Sequence, residues 1–498
     1  MRCYSLGVYV VVDTNRFDLT PSSLFLLHHV PLLAWKMILP AEAETAMEIQ
    51  AFSGQVMLMK LILICNISLA AQSMLSLSPN HFCILKKMSD FSLNLRGVQK
   101  HMGSKTRLYS KIKKTLVVCS SDTQRSEHTS FTSQLTDAKV IYCVAPAMGH
   151  NRHSHPESHF RVPAIMNTLE DMNLTSKLRG ADVLELQHFK PATLDDITTV
   201  HTRSYVTGLE KAMTQASNEG VILIEGSGPT YATATTFSES LMAAGGGIGL
   251  VDSVVAASNN SRTPPVGFAL VRPPGHHAIP KGPMGFCVFG NVAVAARHAQ
   301  RMHGLKRVFI IDFDVHHGNG TNDAFYDDPD IFFLSTHQDG SYPGTGKVDD
   351  VGSGNGEGTT LNLPLPGGSG DAAMRSVFDS VIVPCAQNFK PDIILVSAGY
   401  DGHVLDPLAS FQFTTATYYA LAAGIKQLAK ELCGGRCVFF LEGGYNLKSL
   451  SYSVADTFHA LIGEPSIAHK LDDPAILYEE PSARIKQAIQ RAKYIHSL

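Results

Sequence analysis

The sequence predicts an α/β protein with a doubly wound, mostly parallel sheet. Short runs rich in β-branched residues begin near residue 140, and most are continuously apolar, which is typical of strands buried on both faces of a parallel sheet. Segments of helical length separate several of these runs. Polar residues and glycines follow four of the runs, where the loops of such a sheet carry functional groups.

Eight runs have the character of strands. They cover residues 140–144, 221–224, 266–271, 307–313, 331–335, 359–363, 392–397 and 437–441. Segments of helical length lie between several of them, for example at residues 291–303, 372–389 and 415–432. This alternation predicts one large catalytic domain over residues 138–470, followed by a helical tail at 471–498.

The first 121 residues lack this rhythm and are predicted to be a leader. Two apolar patches, 22–39 and 55–70, are too short or too interrupted to predict a membrane span. The segment from residue 74 to residue 121 contains nine lysines and arginines, many serines and a single acid, Asp90. That composition is typical of an organelle transit peptide and predicts a chloroplast or mitochondrion. A disordered basic tail on a protein of the cytoplasm or nucleus is the alternative.

Charge and composition exclude some classes of function and indicate others. The 498 residues carry a net charge of -3, which gives no global field for holding DNA or an anionic membrane, so direct nucleic-acid binding is not expected. Histidine is unusually frequent, with 22 residues, several of them adjacent. This frequency indicates metal or proton chemistry. Nothing in the sequence indicates the oligomeric state.

A metal site is predicted where the run 307–313 ends. In an extended segment alternate side chains point the same way, so Asp312, Asp314 and His316 can share one face. Together with Asp401 from another run, these residues could supply three ligands and leave a position open on a divalent ion. Asp312 is expected to stand outside the ligand set, because it can accept a hydrogen bond from a catalytic imidazole. The alternative is that Asp312 and Asp314 only cap a loop.

Further candidates follow other runs. His276 and His277 could move protons near neutral pH, or could simply hydrogen-bond in a turn. Tyr445, on a Gly-Gly turn, offers a phenol that could stabilise an oxyanion. Phe286 and Tyr342 lie in glycine-bearing loops and could wall a narrow channel, or could pack in the core.

Four motifs in this order resemble the zinc-dependent histone deacetylase family. They are Arg272-Pro-Pro-Gly-His-His277, Asp312-Phe-Asp-Val-His-His-Gly-Asn-Gly320, Ser397-Ala-Gly-Tyr-Asp401 and Glu442-Gly-Gly-Tyr-Asn446. The similarity extends from about residue 140 to about residue 463. Asn319 stands where class I members carry aspartate, so the chain resembles class II, and its leader makes it similar to the organellar plant branch.

The resemblance implies an arginase-like α/β fold and a role for each site residue. Zinc would be bound by Asp314, His316 and Asp401, and a potassium ion could lie near residues 312–316. His277, with Asn319, would be the general base and acid, while His276, paired with Asp312, would act electrostatically. The remaining residues would bind the acyl group or border its path: Tyr445 at the carbonyl oxygen, Gly285, Phe286, Tyr342 and Leu408 along the channel, and Arg161 at the acetate exit.

Three functions fit this resemblance. The first is hydrolysis of N-acetyl-lysine in histone or non-histone proteins. The second is hydrolysis of small acetylated amines, either arylalkylamines or polyamines. Leu408 weakens the polyamine option, since the polyamine-selective branch resembles a site with an acidic residue there. The third is an inactive module that binds acetyl-lysine, which the complete set of catalytic residues disfavours.

Overall fold

The centre of the structure is an eight-stranded sheet that is parallel throughout. This computed structural model describes Leu135 and residues 137–498, apart from Arg262, and all of them fall in one compact unit. The strands are β1 Val140–Ala145, β2 Val183–Glu185, β3 Ile222–Leu223, β4 Tyr231–Ala232, β5 Val266–Val271, β6 Val308–Asp312, β7 Ile331–Gln338, β8 Thr360–Leu365, β9 Ile393–Ala398 and β10 Cys437–Leu441. The order across the sheet is β2-β1-β5-β10-β9-β6-β7-β8.

Helices cover both faces of this sheet. They are α1 Arg161–Asp171, α2 Ser176–Arg179, α3 Leu194–Ile197, α4 Arg203–Glu219, α5 Thr236–Ser258, α6 Asn291–His303, α7 Asn319–Phe325, α8 Asp371–Val377, α9 Val383–Phe389, α10 Thr415–Cys433, α11 Leu447–Ile462, α12 Ala468–Leu471 and α13 Ser482–Ile495. A π-helical segment, Phe378–Ile382, joins α8 to α9. The architecture confirms the predicted doubly wound α/β fold.

Alternation along each strand builds two cores. Phe309 and Ile311 of β6 belong to the core beneath α1, α10, α11 and α13, whereas Val308 and Ile310 belong to the core beneath α5 and α6. Successive side chains of a strand point to opposite faces, so a continuously apolar strand supplies both cores. The predicted tail 471–498 contributes to the first core through α13. The predicted domain limits stay predictions.

Several elements differ from the sequence prediction. The run 221–224 is not in the central sheet: β3 pairs with β4 in a separate antiparallel pair. Val221 and Leu223 are exposed there, so this run is not buried on both faces as a strand of the central parallel sheet would be. The short edge strand β2 was not predicted. The segment 372–389 is helical but contains the π turn, which precedes Pro384, a residue that cannot donate an N–H to the preceding turn.

One described helix, α5, is long and apolar enough to cross a membrane by length and composition. Its most apolar window is 67% buried inside the protein. Leu250, Val251 and Val254 of this helix belong to the core beside the sheet. The predicted leader, residues 1–121, and its apolar patches 22–39 and 55–70 lie outside the described residues.

Candidate active site

The carboxyl ends of β5, β10, β9 and β6, four neighbouring strands, carry most of the predicted site. Asp312, the last residue of β6, pairs with Ser397 of β9, and Ala398 of β9 pairs with Leu441 of β10. This register makes the strands end at one level. The loops that follow them therefore meet at a single edge of the sheet.

Asp314, His316 and Asp401 lie together at this edge and are buried. Nδ1 of His316 is 3.2 Å from Oδ1 of Asp314 and 3.1 Å from Oδ2 of Asp401. Backbone groups hold both carboxylates: the N–H of Val315 donates to Oδ1 of Asp401 at 3.1 Å, and the N–H of Gly443 donates to Oδ2 of Asp314 at 2.8 Å. One possible ligand atom from each of the three residues lies within 4.8 Å of the other two.

The three side chains of this cluster shift one another's pKa values. Burial would raise the pKa of Asp314, but His276 and His316 hold it well below its usual range. Burial and the charge of Asp314 raise the pKa of Asp401. Burial would lower the pKa of His316, but hydrogen bonds to Asp314 and Asp401 raise it to about 10. Two carboxylates gathered around one imidazole are a donor set that fits zinc.

Two glycines leave the space that these carboxylates occupy. A Cβ at Gly399 would lie 2.0 Å from Oδ2 of Asp314, and a Cβ at Gly443 would lie 2.0 Å from Oδ2 of Asp401. Neither glycine has a positive φ. Their function is therefore close approach rather than an unusual backbone conformation.

The two histidines after β5 have different partners. Nδ1 of His276 is 3.0 Å from Oδ2 of Asp312, and Nδ1 of His277 is 2.8 Å from Oδ1 of Asn319. Burial would lower the pKa of His276, but Asp314 and Asp312 raise it well above its ordinary value. Burial and the neighbouring His276 lower the pKa of His277 well below its ordinary value. The pair thus combines a charged and a neutral imidazole.

Tyr445 lies on the loop after β10 and is held by its backbone. Its N–H donates to Oδ2 of Asp406 at 2.7 Å, and Oδ1 of Asp406 accepts the N–H of Leu408 at 3.0 Å. Leu408 itself is 38% exposed. The guanidinium of Arg161 lies 5.2 Å from the centre of the Tyr445 ring. Burial and a nearby carboxylate raise the pKa of Tyr445 well above its usual value, so the phenol remains a donor.

Two aromatic rings border the site. Phe286 packs edge-on against Tyr445, with ring centres 5.7 Å apart, and Tyr342 packs edge-on against His277 at 5.1 Å. Gly285 and Phe286 both have positive φ, 54° and 72°, so the backbone turns sharply at this point. Tyr342 is 38% exposed, which places it at the border with solvent rather than in the core.

Arg161 lies in a buried charge network next to the site. Its Nε donates to the carbonyl oxygen of Gly444 at 2.7 Å, and its Nη2 donates to that of Glu442. Its Nη1 donates to Glu157 at 3.2 Å, and Glu157 also accepts from Nη2 of Arg272 at 2.6 Å. Burial would raise the pKa of Glu157, but Arg272 and Arg161 lower it to about 2. The network ties the loop after β1 to those after β5 and β10.

Two supporting residues had no role assigned from the sequence. Oε2 of Glu442 accepts the N–H groups of Gly275 at 2.6 Å and His276 at 3.1 Å, which fixes the histidine loop. Its position directly after an apolar run was a signal that could have identified it. Oγ1 of Thr230 accepts the N–H of Phe286 at 3.1 Å. Thr230 lies directly before β4, and nothing in the sequence marks it.

A second buried group, His276, Cys287 and Glu442, also brings possible ligand atoms together. Its histidine is already bonded to Asp312, and Glu442 already accepts two backbone N–H groups. Burial and the charge of Glu442 raise the pKa of Cys287 well above its ordinary value, which disfavours the thiolate that a metal needs. This group is therefore a hydrogen-bonded support for the histidine loop.

Comparison with known proteins identifies the family. The profile of the histone deacetylase domain matches residues 155–461. "Histone deacetylase 14, chloroplastic" of Arabidopsis thaliana is 71% identical over 380 residues, which cover 76% of this chain and 90% of that protein. "Histone deacetylase 10, chloroplastic" of Oryza sativa subsp. japonica is 72% identical over 364 residues, 73% of this chain and 82% of that protein.

A solved structure of the same family has a similar fold. The crystal structure of the HDA15 HD domain superposes with a TM-score of 0.61 at 32% identity, covering 72% of this chain and 95% of that one. The arginase-like α/β fold, the motif order and the two plant relatives agree with one another. The chain belongs to the zinc-dependent histone deacetylase family and is a deacetylase of the hydrolase class.

Proposed function

We propose that the chain hydrolyses N-acetyl-lysine side chains of proteins, histone or non-histone, to lysine and acetate, with zinc as its metal. One observation carries the proposal: a buried Asp-His-Asp cluster, a histidine pair with separate partners and a tyrosine meet at one edge of the sheet. An amide is cleaved when its carbonyl is polarised, a nucleophile is deprotonated and the amine is protonated. These side chains can serve all three needs.

Asp314, His316 and Asp401 would hold one zinc ion per chain. Bound zinc supplies a Lewis acid that polarises the acetyl carbonyl and acidifies water. The three side chains would leave a coordination position open for substrate. We further propose a structural potassium ion near residues 312–316, which the family resemblance alone supports.

His277 would act as general base and then as general acid. Because Oδ1 of Asn319 can only accept, Nδ1 of His277 carries its proton and Nε2 is the free acceptor. Nε2 would take a proton from the water that attacks the acetyl carbon. It would then give a proton to the amine nitrogen as the C–N bond breaks. His276, bonded to Asp312, would contribute its positive charge.

Tyr445 would donate its O–H to the acetyl oxygen as that oxygen gains negative charge. The bond from its N–H to Asp406 supports this role, because it fixes the backbone that carries the ring. Arg161 is proposed to border the exit path of acetate. Its burial beside Tyr445 supports this assignment.

The rings of Phe286 and Tyr342 and the backbone at Gly285 are proposed to enclose the acyl-lysine stem, whose methylene groups suit aromatic walls. A second candidate substrate is a small acetylated amine. Among small amines, Leu408 favours an arylalkylamine, because this exposed apolar residue offers it a contact surface. Leu408 offers no charge partner to a polyamine. With a net charge of -3, no direct nucleic-acid contact is proposed.

A substrate panel tests the proposal. The zinc-loaded chain would be assayed for acetate release from acetyl-lysine peptides, N-acetylated arylalkylamines and acetylpolyamines at equal concentrations. We expect the peptides to have the highest kcat/KM. Turnover of small amines alone would replace the proposed substrate, and bound zinc without any turnover would support the acetyl-lysine-binding module.

A matched pair of variants controls this assay. His277→Ala should remove most of the acetate release, while His188→Ala, which changes an exposed histidine, should leave it unchanged. Circular dichroism of both variants shows whether the fold is retained. Equal activity in the two folded variants would contradict the role given to His277.

We propose that the protein works in the chloroplast. The basic, serine-rich composition of residues 74–121 supports a transit peptide, and the two plant relatives are both named chloroplastic. The relatives therefore favour the chloroplast over the mitochondrion. A fusion of residues 1–133 to a fluorescent protein should enter chloroplasts of leaf protoplasts, and exclusive fluorescence of the cytoplasm and nucleus would contradict the proposal.

A further inference from the structure

A second cluster of metal-ligating side chains lies between helices α5 and α6. Asp252 is on α5, and His298 and His303 are on α6. The deacetylase reaction uses none of them. We infer that these three residues form a second divalent-cation site, for zinc or a similar transition-metal ion, which joins the two helices.

The geometry of the cluster supports this inference. Nε2 of His298 and Nε2 of His303 each lie 2.7 Å from the same atom, Oδ1 of Asp252. The ligand atoms of all three residues lie within 4.8 Å of one another. Ligand atoms of a tetrahedral zinc site stand about 3.3 Å apart, so the two contacts need to open by only roughly half an ångström.

The chemistry of the donors also fits. Two imidazole nitrogens and one carboxylate oxygen are ligands for zinc, nickel and copper rather than for calcium or magnesium. Burial would raise the pKa of Asp252, but the two histidines lower it, so the carboxylate is available in its charged form.

The site is open to solvent on the side of Asp252. The side chains of His298 and His303 are only 11% and 22% exposed, whereas that of Asp252 is 52% exposed. Packing therefore holds the two rings while the carboxylate borders solvent. Water can complete the coordination of an ion on that side without any change in the core.

The site is separate from the catalytic edge. α6 begins at Asn291, whose Nδ2 donates to the carbonyl oxygen of Pro273 at 3.0 Å, next to the histidine loop. His303 is 12 residues later, about 18 Å along the helix axis, and β6 begins at its amino end shortly after it. The cluster therefore lies towards the opposite edge of the sheet. An ion there would link α5 to α6 without contacting the deacetylase substrate.

Zinc content tests the inference. The full chain and its variants would be stripped with a chelator, reloaded with excess zinc and desalted, and zinc per chain would be measured by mass spectrometry. Asp252→Asn and His303→Gln should each hold about one zinc fewer per chain than the wild type. His303→Gln is included because it changes only the last residue of α6.

The matched control is His469→Ala, an exposed histidine outside the cluster, which should retain the wild-type zinc content. Circular dichroism identifies the folded variants to compare. Equal zinc content in the wild type and in both cluster variants would overturn the inference and leave a hydrogen-bonded triad. Since the comparison is a difference in zinc content, it remains valid even if the deacetylase proposal fails.

Discussion

At the level of single residues, the proposed reacting groups have partners that fix their position. The Gly-Gly-Tyr context predicts Tyr445 as a site residue, but it does not predict the support by Asp406, because the two residues are 39 positions apart and meet only in the fold. His277 is similar: the tandem histidines were visible in the sequence, whereas the bond of His277 to Asn319 was implied by family resemblance alone.

Tyr445→Phe tests the oxyanion role directly. It removes the phenol O–H and keeps the ring, so kcat should fall by roughly 10²–10³-fold while the zinc content stays at the wild-type value. Steady-state kinetics and metal analysis of the same preparation check both expectations. Unchanged kcat would show that the phenol donates nothing to the transition state.

Asp406→Ala tests positioning of this tyrosine. Loss of the carboxylate frees the N–H of Tyr445, so we expect kcat to fall by about 10-fold with little change in zinc content. Asp406→Asn keeps one acceptor oxygen and should restore part of the loss. A loss of stability with kcat intact in both variants would mean that Asp406 is only structural.

At the level of secondary structure, the site forms because neighbouring parallel strands end at the same edge of the sheet. The sequence predicts β5, β6, β9 and β10 because these strands are buried on both faces and are therefore continuously apolar. The run at 221–224 has the same composition, yet pairs in a separate hairpin, and only its exposure in the fold reveals this. The edge strand β2 has three residues, too few for a periodic signal.

Gly443→Ala tests how closely the strand-end loops must approach. The added Cβ would lie 2.0 Å from Oδ2 of Asp401, so the carboxylate must move, and both zinc content and activity should fall. The matched control is Gly208→Ala on α4, where a Cβ meets nothing within 4 Å. If both variants bind zinc as the wild type does, the loops are looser than the structure indicates.

Across the whole molecule, one ion network joins loops that are far apart in sequence. Glu157 contacts Arg161 and Arg272, and Arg161 reaches the backbone at Glu442 and Gly444. These contacts span up to 283 positions, so no local pattern could have predicted them. The sequence could therefore predict the sheet and the residues at its edge, but not the buried groups that hold the loops together.

This network predicts a specific dependence of stability on acid. The pKa of Glu157 falls from an ordinary value of 4.5 to about 2 on folding, so its stabilising contribution is complete above 4.5 and is lost as the pH falls towards 2. The difference in free energy of unfolding between the wild type and Glu157→Gln should shrink by about 2 kcal/mol from pH 5 to pH 3. Urea unfolding at the two pH values measures it.

The control for this prediction is Glu357→Gln, which changes an exposed glutamate. Its difference from the wild type should stay constant over the same pH interval. A constant difference for Glu157→Gln as well would mean that the buried carboxylate does not retain its charge in the folded protein.

The central proposal is that this chain hydrolyses N-acetyl-lysine with zinc, and acetate release from an acetyl-lysine peptide tests it most directly. The full chain would be measured stripped of metal, reloaded with zinc, and as Asp401→Asn treated with zinc. We predict turnover only in the reloaded wild-type chain, with little acetate from the other two samples. Equal acetate release by the stripped and reloaded chains, or by Asp401→Asn, would contradict the account.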